Sequence, residues 1–389
     1  MIKTINEFGP QLGWSESQTT GFLEKVGPNV QPRQDDAETF AEAVICFLAG
    51  VEAPVPDVPV PTPGPGELLI RVAAAGFCHT DYQVYKGAYG TQLPFTGSHE
   101  PAGTIVQLGP NILGDWRVND RVGVLNFRNP CNVCNGCRWR MKTYGSLDVR
   151  YCEKKTMNGI LRADGGFAEY MIASDNALVH LPDDLSFEQA APLMCAGATA
   201  WNAIKETGLE KGKSIAIVGI GGLGVLAIQF AKARGLRVVA IDNRDIGLKL
   251  ACDVPAHLTP DLVVNINSRS AIKEIDAFTD SIGLQGTVVC TDDVAASDWS
   301  LHRLQPQGAC VVLGLPESGF QFDAFNLVFR EIIVKGSLHC SVNEVKNMIK
   351  AVSENGIVSH LTLLPLEGGE DIPERAAAHS FTGRLVIQV

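Results

Sequence analysis

The 389-residue chain carries 32 Lys and Arg against 43 Asp and Glu, a formal net charge of −11. That balance argues against nucleic acid as a partner, because phosphates call for a basic face, and the length leaves room for two or three domains. No membrane span is expected, since the longest apolar stretch, Ser214 to Phe230, is broken by glycines.

Residues 1 to about 40 are polar, rich in Gln, Glu, Thr and Asn, and show no steady period. They read as a loosely ordered extension, or as an arm packing on a partner subunit. No basic-then-apolar run marks a secretory signal. An odd count of eleven cysteines fits no disulfide framework. A cytoplasmic chain with reduced thiols, some of them metal ligands, is expected.

From residue 43 the texture changes. "AVICFLAG" reads as a strand, "APVPDVPVPTPGPGE" as an edge segment and turn, and "ELLIRVAAAGF", "AGTIVQLG" and "DRVGVL" as short strands. Short strands punctuated by Gly and Pro predict a barrel-like β domain. After Pro192 six apolar runs, "SIAIVG", "RVVAID", "LVVNIN", "GTVVCT", "ACVVLG" and "EIIVKGS", alternate with helical patterns such as Leu223 to Arg234. That alternation predicts a doubly wound parallel sheet of two mononucleotide-binding halves. "SVNEVKNMIKAVSENG" then reads as a helix and "GRLVIQV" as a closing strand.

The first of the six runs leads into Gly219, Gly221 and Gly224, in G-x-G-x-x-G spacing, with Gly222 and Leu223 between them. The pattern is weak alone, but here a strand precedes it and a helix follows. Gly219 permits the turn, Gly221 lets pyrophosphate approach the backbone, and Gly224 lets helix pack on strand. The helix N-terminus then offers free N–H groups to the anion. Asp242 ends the second run, where a carboxylate takes the ribose hydroxyls of NAD and repels the 2′-phosphate of NADP. Arg244 nearby could hold that phosphate. NAD(H) is the cofactor expected.

"PCNVCNGCRWRMKTYGSLDVRYCEKK" supplies Cys131, Cys134, Cys137 and Cys152. Overlapping C-x-x-C units are a strong signal for a closed structural zinc site. Three further candidates are scattered: Cys78 in "GFCHTD", His99 in "TGSHEPAG" and Cys195 in "APLMCAGATAW". Two thiolates and an imidazole form a known catalytic zinc set, but composition alone does not pair them.

These segments, with "DGGFAEY" and "GIGGLG", occur in an order that resembles the zinc-dependent alcohol dehydrogenases of the medium-chain dehydrogenase/reductase family. The resemblance covers about residue 43 to residue 389. It implies an α/β architecture: a Rossmann doubly wound parallel sheet plus a GroES-like β-barrel catalytic domain. The expected division is an extension over 1–40, the catalytic domain with its structural zinc lobe over 41–197, the NAD-binding domain over 198–339, and a return to the catalytic domain over 340–389. It also implies two zinc ions per chain, the catalytic one held by Cys78, His99 and Cys195 as a Lewis acid on the substrate oxygen. By the same resemblance Thr80 hydrogen-bonds that oxygen and passes its proton on. Asp81 orients His99, Glu100 sits behind the zinc, and His79 and Arg384 face the cofactor pyrophosphate. Tyr89, Asn126 and Leu315 line the substrate pocket, Leu315 also meeting the cofactor.

Departures from the family pattern are visible. Fourteen residues separate Cys137 from Cys152, more than usual, which puts Cys152 in question. Gln83 stands where many members have a proton-relaying histidine. Gly247 stands where a lysine often steadies the adenosine ribose. Asn126 replaces a frequent aromatic residue, which suggests an oxygenated or bulky alcohol. The reaction expected is hydride transfer between NAD(H) and an alcohol/aldehyde or ketone pair, by a homodimer or homotetramer. The alternatives are a zinc-free enoyl or quinone reductase on the same fold, which would lack the Cys/His/Cys set, and a non-catalytic cofactor-binding relative.

Overall fold

The computed structural model describes residues 58–389 apart from 93, 94 and 379. The extension over 1–40 and the strand expected at "AVICFLAG" lie outside these residues. Of the Pro-rich run, residues 58–64 carry no strand, and the expected turn falls at Pro65 and Gly66. Alternate prolines there withhold the N–H groups a ladder needs.

The strand expected at "ELLIRVAAAGF" spans Glu67–Phe77 and organises a seven-stranded sheet. One of its edges pairs with Glu100–Leu108. The other is divided: Glu67 to Arg71 pair with Tyr170–Ser174, and Ala74 to Phe77 pair with Arg384–Gln388. Register shifts near Leu69 and Val72 bend the strand between these partners. Arg121–Val124 and Leu178–His180 continue the sheet on one side, and Leu361–Pro365 beyond Arg384–Gln388 on the other. Leu68, Ile70, Val72, Ile105, Val122 and Met171 fill the inner face.

The six later runs form one parallel sheet with strands Ser214–Val218, Arg237–Asp242, Leu262–Asn265, Leu284–Val289, Leu304–Val312 and Ile333–Gly336. Their spatial order is third, second, first, fourth, fifth, sixth, the order of a dinucleotide-binding sheet. The fifth strand begins earlier than "ACVVLG" because the ladder jumps from Leu284–Leu304 to Gly286–Ala309 and residues 305–308 bulge out. The helix Gly222–Ala233 follows the glycine loop, and its Val225, Leu226, Ile228 and Phe230 are buried. The helix Val342–Asn355 starts where the Ser341 hydroxyl accepts the Glu344 N–H, and it buries Val345, Met348, Ile349 and Val352 along one face. Sequence patterning did not reveal Leu361–Pro365, nor a small sheet of Phe127–Arg128, Thr156–Asn158 and Arg162–Ala163 at the base of the cysteine lobe. Among the described residues no helix is long and apolar enough to cross a membrane.

Candidate active site

A cavity of about 970 Å³ lies between the two sheets, at the carboxyl ends of the parallel strands. The glycine loop walls one end, and Cys78, His99 and Cys195 the other.

Cys78 follows the end of Glu67–Phe77 and caps the short helix His79–Tyr85. Its N–H donates to Asp81 Oδ2 at 2.8 Å, and Asp81 Oδ1 also accepts from Ser98 N–H at 3.2 Å. The buried Asp81 Oδ1 lies 3.0 Å from His99 Nδ1. A carboxylate can only accept, so Nδ1 carries the proton and Nε2 is left as the ligand nitrogen. Nε2 lies 3.2 Å from Cys195 Sγ. One donor atom each from Cys78, His99, Glu100 and Cys195 falls within 4.8 Å of every other. The hydrogen bond from the Cys195 thiol is the chief cause that holds Cys78 well below the usual thiol range, and His99 adds to it. The same bond, with burial, pushes Cys195 up.

His99 sits on a constrained loop. Ser98 adopts φ 72°, a conformation uncommon outside glycine. Its carbonyl oxygen is backed by Gly159 and Gly165, where an added Cβ would stand 2.1 and 2.0 Å away. "DGGFAEY" therefore supports the histidine loop by close approach of backbone. Cys195 caps the helix Ala196–Glu206.

Glu100 is fully buried and both its oxygens bind Arg384 Nη2. Burial pushes its carboxyl up to about 7 against the pull of Arg384. Arg384 also packs on the glycine loop, since a Cβ at Gly222 would meet its Cδ at 2.4 Å. One arginine side chain thus spans from the metal-type cluster, at its guanidinium, to the nucleotide loop, along its aliphatic stem. Its buried Nε has no partner among the described residues, which suits an anion nearby.

In the loop, Gly219 adopts φ 87° and an added Cβ would strike the Thr291 side chain. Gly224 lies where a Cβ would come within 2.1 Å of the Gly219 carbonyl, while one at Gly221 would project into open space. That open cradle, with the unpartnered Arg384 Nε, fits a bound pyrophosphate. Asp242 is buried and accepts from the N–H groups of Ile220, Asn243 and Arg244. Arg244 also donates to it from Nε and Nη2. The two residues read as rivals in the sequence are one ion pair. Gly247 completes this arrangement, because a Cβ there would stand 2.4 Å from Asp242 Oδ2.

Thr80, with its hydroxyl 4.0 Å from Cys78 Sγ, lines the cavity with His79, Gln83, Tyr89, Asn126 and the exposed Leu315. The wall also holds His339, which sequence reading passed over. Its Nε2 is 2.6 Å from the Met194 carbonyl, just before Cys195. The available signal was its place in the loop that follows the sixth parallel strand, where ligand-facing residues gather.

The structure brings Cys131, Cys134, Cys137 and Cys152 within 4.8 Å of one another. The long spacing before Cys152 is taken up by the helix Asn135–Tyr144 and a turn at Val149–Tyr151. N–H groups of Cys131 and Lys154 donate to Cys152 Sγ, each at 3.3 Å. Backbone N–H donors from Cys137 and Glu153 hold the Cys134 thiol down to about 6. The donor chemistry fits a tetrahedral zinc. Arg150, in the extra segment, donates to the carbonyls of Leu338 and His339 at 2.9 and 3.2 Å. The lobe thereby braces the cavity wall.

Fold and site together define a dinucleotide-dependent dehydrogenase with metal-type donor clusters. The family model of the alcohol dehydrogenase GroES-like domain matches residues 64–183, and that of the zinc-binding dehydrogenases matches 222–354. An alcohol dehydrogenase from Geobacillus stearothermophilus is 35% identical over 337 residues, covering 86% of this chain and 96% of that one. The crystal structure of the alcohol dehydrogenase from Aeropyrum pernix aligns with a TM-score of 0.74 at 28% identity, over 86% of this chain and 95% of that one. An NAD-dependent alcohol dehydrogenase aligns with a TM-score of 0.75 at 26% identity, over 86% and 95%. The chain belongs to the zinc-type alcohol dehydrogenases of the medium-chain dehydrogenase/reductase family.

Proposed function

We propose that the protein is an NAD-dependent alcohol dehydrogenase that binds two zinc ions, one in each donor cluster, and interconverts an alcohol with its aldehyde or ketone. The observation that carries this reading is the meeting of Cys78, His99 and Cys195 with the glycine loop around one cavity. Cys131, Cys134, Cys137 and Cys152 would hold the structural ion and stabilise the lobe. When bound, zinc supplies a Lewis acid for the substrate oxygen and NAD supplies the hydride acceptor.

The chain's own residues do the rest. Asp81 fixes the His99 ring so that Nε2 faces the cluster. Thr80 takes the alcohol proton at Oγ1 and hands it outward. Glu100 and Arg384 form a buried pair behind the donors, and Arg384 and the loop N–H groups hold the pyrophosphate. His79 stands at the exposed rim beside it. Asp242 takes the ribose hydroxyls when Arg244 swings off its carboxylate to make room for them, and its negative charge disfavours a 2′-phosphate, so NAD is preferred over NADP. The catalytic unit is residues 41–197 with 340–389, and the nucleotide unit 198–339. The ten described cysteines are free, which suits a reducing, cytoplasmic setting.

The test is metal analysis beside turnover. The purified protein should hold two zinc ions per chain and reduce NAD with an alcohol. Cys195→Ser should lose one ion and nearly all turnover while keeping its fold by circular dichroism. Unchanged zinc in that variant would remove Cys195 from the metal set.

A further inference from the structure

Asn126 lies between the strands Arg121–Val124 and Phe127–Arg128, and its backbone carbonyl is held. Its carbonyl accepts from Asn158 N–H at 3.0 Å, and Leu125 N–H beside it donates to Ala177 O at 2.7 Å. Its side chain is different. Asn126 is only 4% exposed, yet its Oδ1 has no hydrogen-bond partner among the described residues. A buried amide oxygen left unpaired is destabilising, and native structures rarely tolerate one without a reason. The residue lines the same cavity as Thr80, His99 and Cys195. The adjoining Phe127 ring packs edge-on to His339 at 5.6 Å, which ties the chain beside Asn126 to the cavity wall.

We infer that Asn126 is a specificity-determining residue that binds a second hydroxyl of the substrate, which makes the substrate a diol or polyol rather than a simple alcohol. A hydroxyl both donates and accepts, so it satisfies the carboxamide whichever way the amide is turned. A plain alkyl chain at that place would leave it unpaired, and sites built around a hydroxyl reject the analogue that lacks one. The inference rests on the reading of this cavity as an alcohol dehydrogenase site.

The experiment compares kcat/KM of the zinc-loaded enzyme with NAD for 1-butanol and for 1,2-, 1,3- and 1,4-butanediol. At least one diol should exceed 1-butanol by about tenfold or more. In Asn126→Leu, which has similar volume and no polar atoms, that ratio should fall to about one. In Asn126→Asp, which keeps an acceptor oxygen, it should stay well above the Leu value. NADH binding by fluorescence establishes that each variant is folded, and Asn126→Ala replaces any that is not. Turnover of 1-butanol equal to every diol in the wild type overturns the inference while leaving the alcohol dehydrogenase reading intact. A diol preference that survives Asn126→Leu shows that the hydroxyl is recognised elsewhere and also overturns it. No turnover of any of the four alcohols defeats the underlying reading, and the inference with it.

Discussion

Thr80 and Gly165 show how single residues carry this site in different ways. Thr80 is placed beside Cys78, two residues away at the start of a helix. Val has nearly its shape and no hydroxyl. Thr80→Val is expected to keep both zinc ions and cofactor binding and to lose about 10²–10⁴-fold in kcat, the worth of a positioned proton transfer. A pre-steady-state assay limited by chemistry checks this. A near wild-type rate there would route the proton elsewhere. Gly165 acts through space: a Cβ there meets the carbonyls of Ser98 and Gly97 at 2.0 and 2.4 Å. Gly165→Ala should cost about 1–3 kcal/mol and, by moving the loop of His99, lower zinc content at the catalytic cluster. Melting temperature and metal analysis together read both effects. Cysteine spacing, the glycine pattern and the carboxylate at a strand end were legible in the sequence because they are local. The pairing of Asp242 with Arg244, the reach of Arg384 to Glu100 and the unpaired Asn126 were not. They depend on where distant backbone comes together.

At the scale of elements, the sixth parallel strand and the helix before it form an unusual surface. Ile333 in the strand is exposed, and the helix Ala324–Phe329 presents Val328 and Phe329 at 70% and 72% exposure, with Phe325 stacked on Phe329 at 4.2 Å. An open sheet edge flanked by apolar side chains invites pairing with another chain, and a two-fold axis lets the same patch meet itself. A dimer or dimer of dimers built on this edge is expected. Ile333→Glu combined with Phe329→Ser should shift the mass in multi-angle light scattering to that of a monomer. A wild type already monomeric at micromolar concentration would rule the edge out. All six strands of this sheet were legible, since apolar runs alternate with helical periods. The two-residue strands of the lobe were not, because they are shorter than any period can reveal.

At the scale of the whole molecule, the catalytic half is closed by its last residues. Arg384–Gln388 lies between Glu67–Phe77 and Leu361–Pro365, and Val389 N–H donates to Ala73 O at 3.2 Å. Leu385, Val386 and Ile387 are fully buried. Deleting residues 384–389 should therefore abolish the cooperative melt of the catalytic half and metal binding at Cys78, His99 and Cys195, while the parallel sheet still melts as a unit and binds NADH more weakly for want of Arg384. Calorimetry with fluorescence titration would read this, and a single unchanged transition would contradict it. The placement also bears on synthesis. A ribosome releases Glu67–Phe77 some three hundred residues before its neighbour Arg384–Gln388 emerges. The nucleotide half can fold while the chain is still tethered. The barrel stays half open along one edge until Arg384–Gln388 has been made. On the proposed reading, a metal at Cys78, His99 and Cys195 would be held firmly only after that strand is in place, whereas the four cysteines at 131–152, close in sequence, could take up an ion earlier.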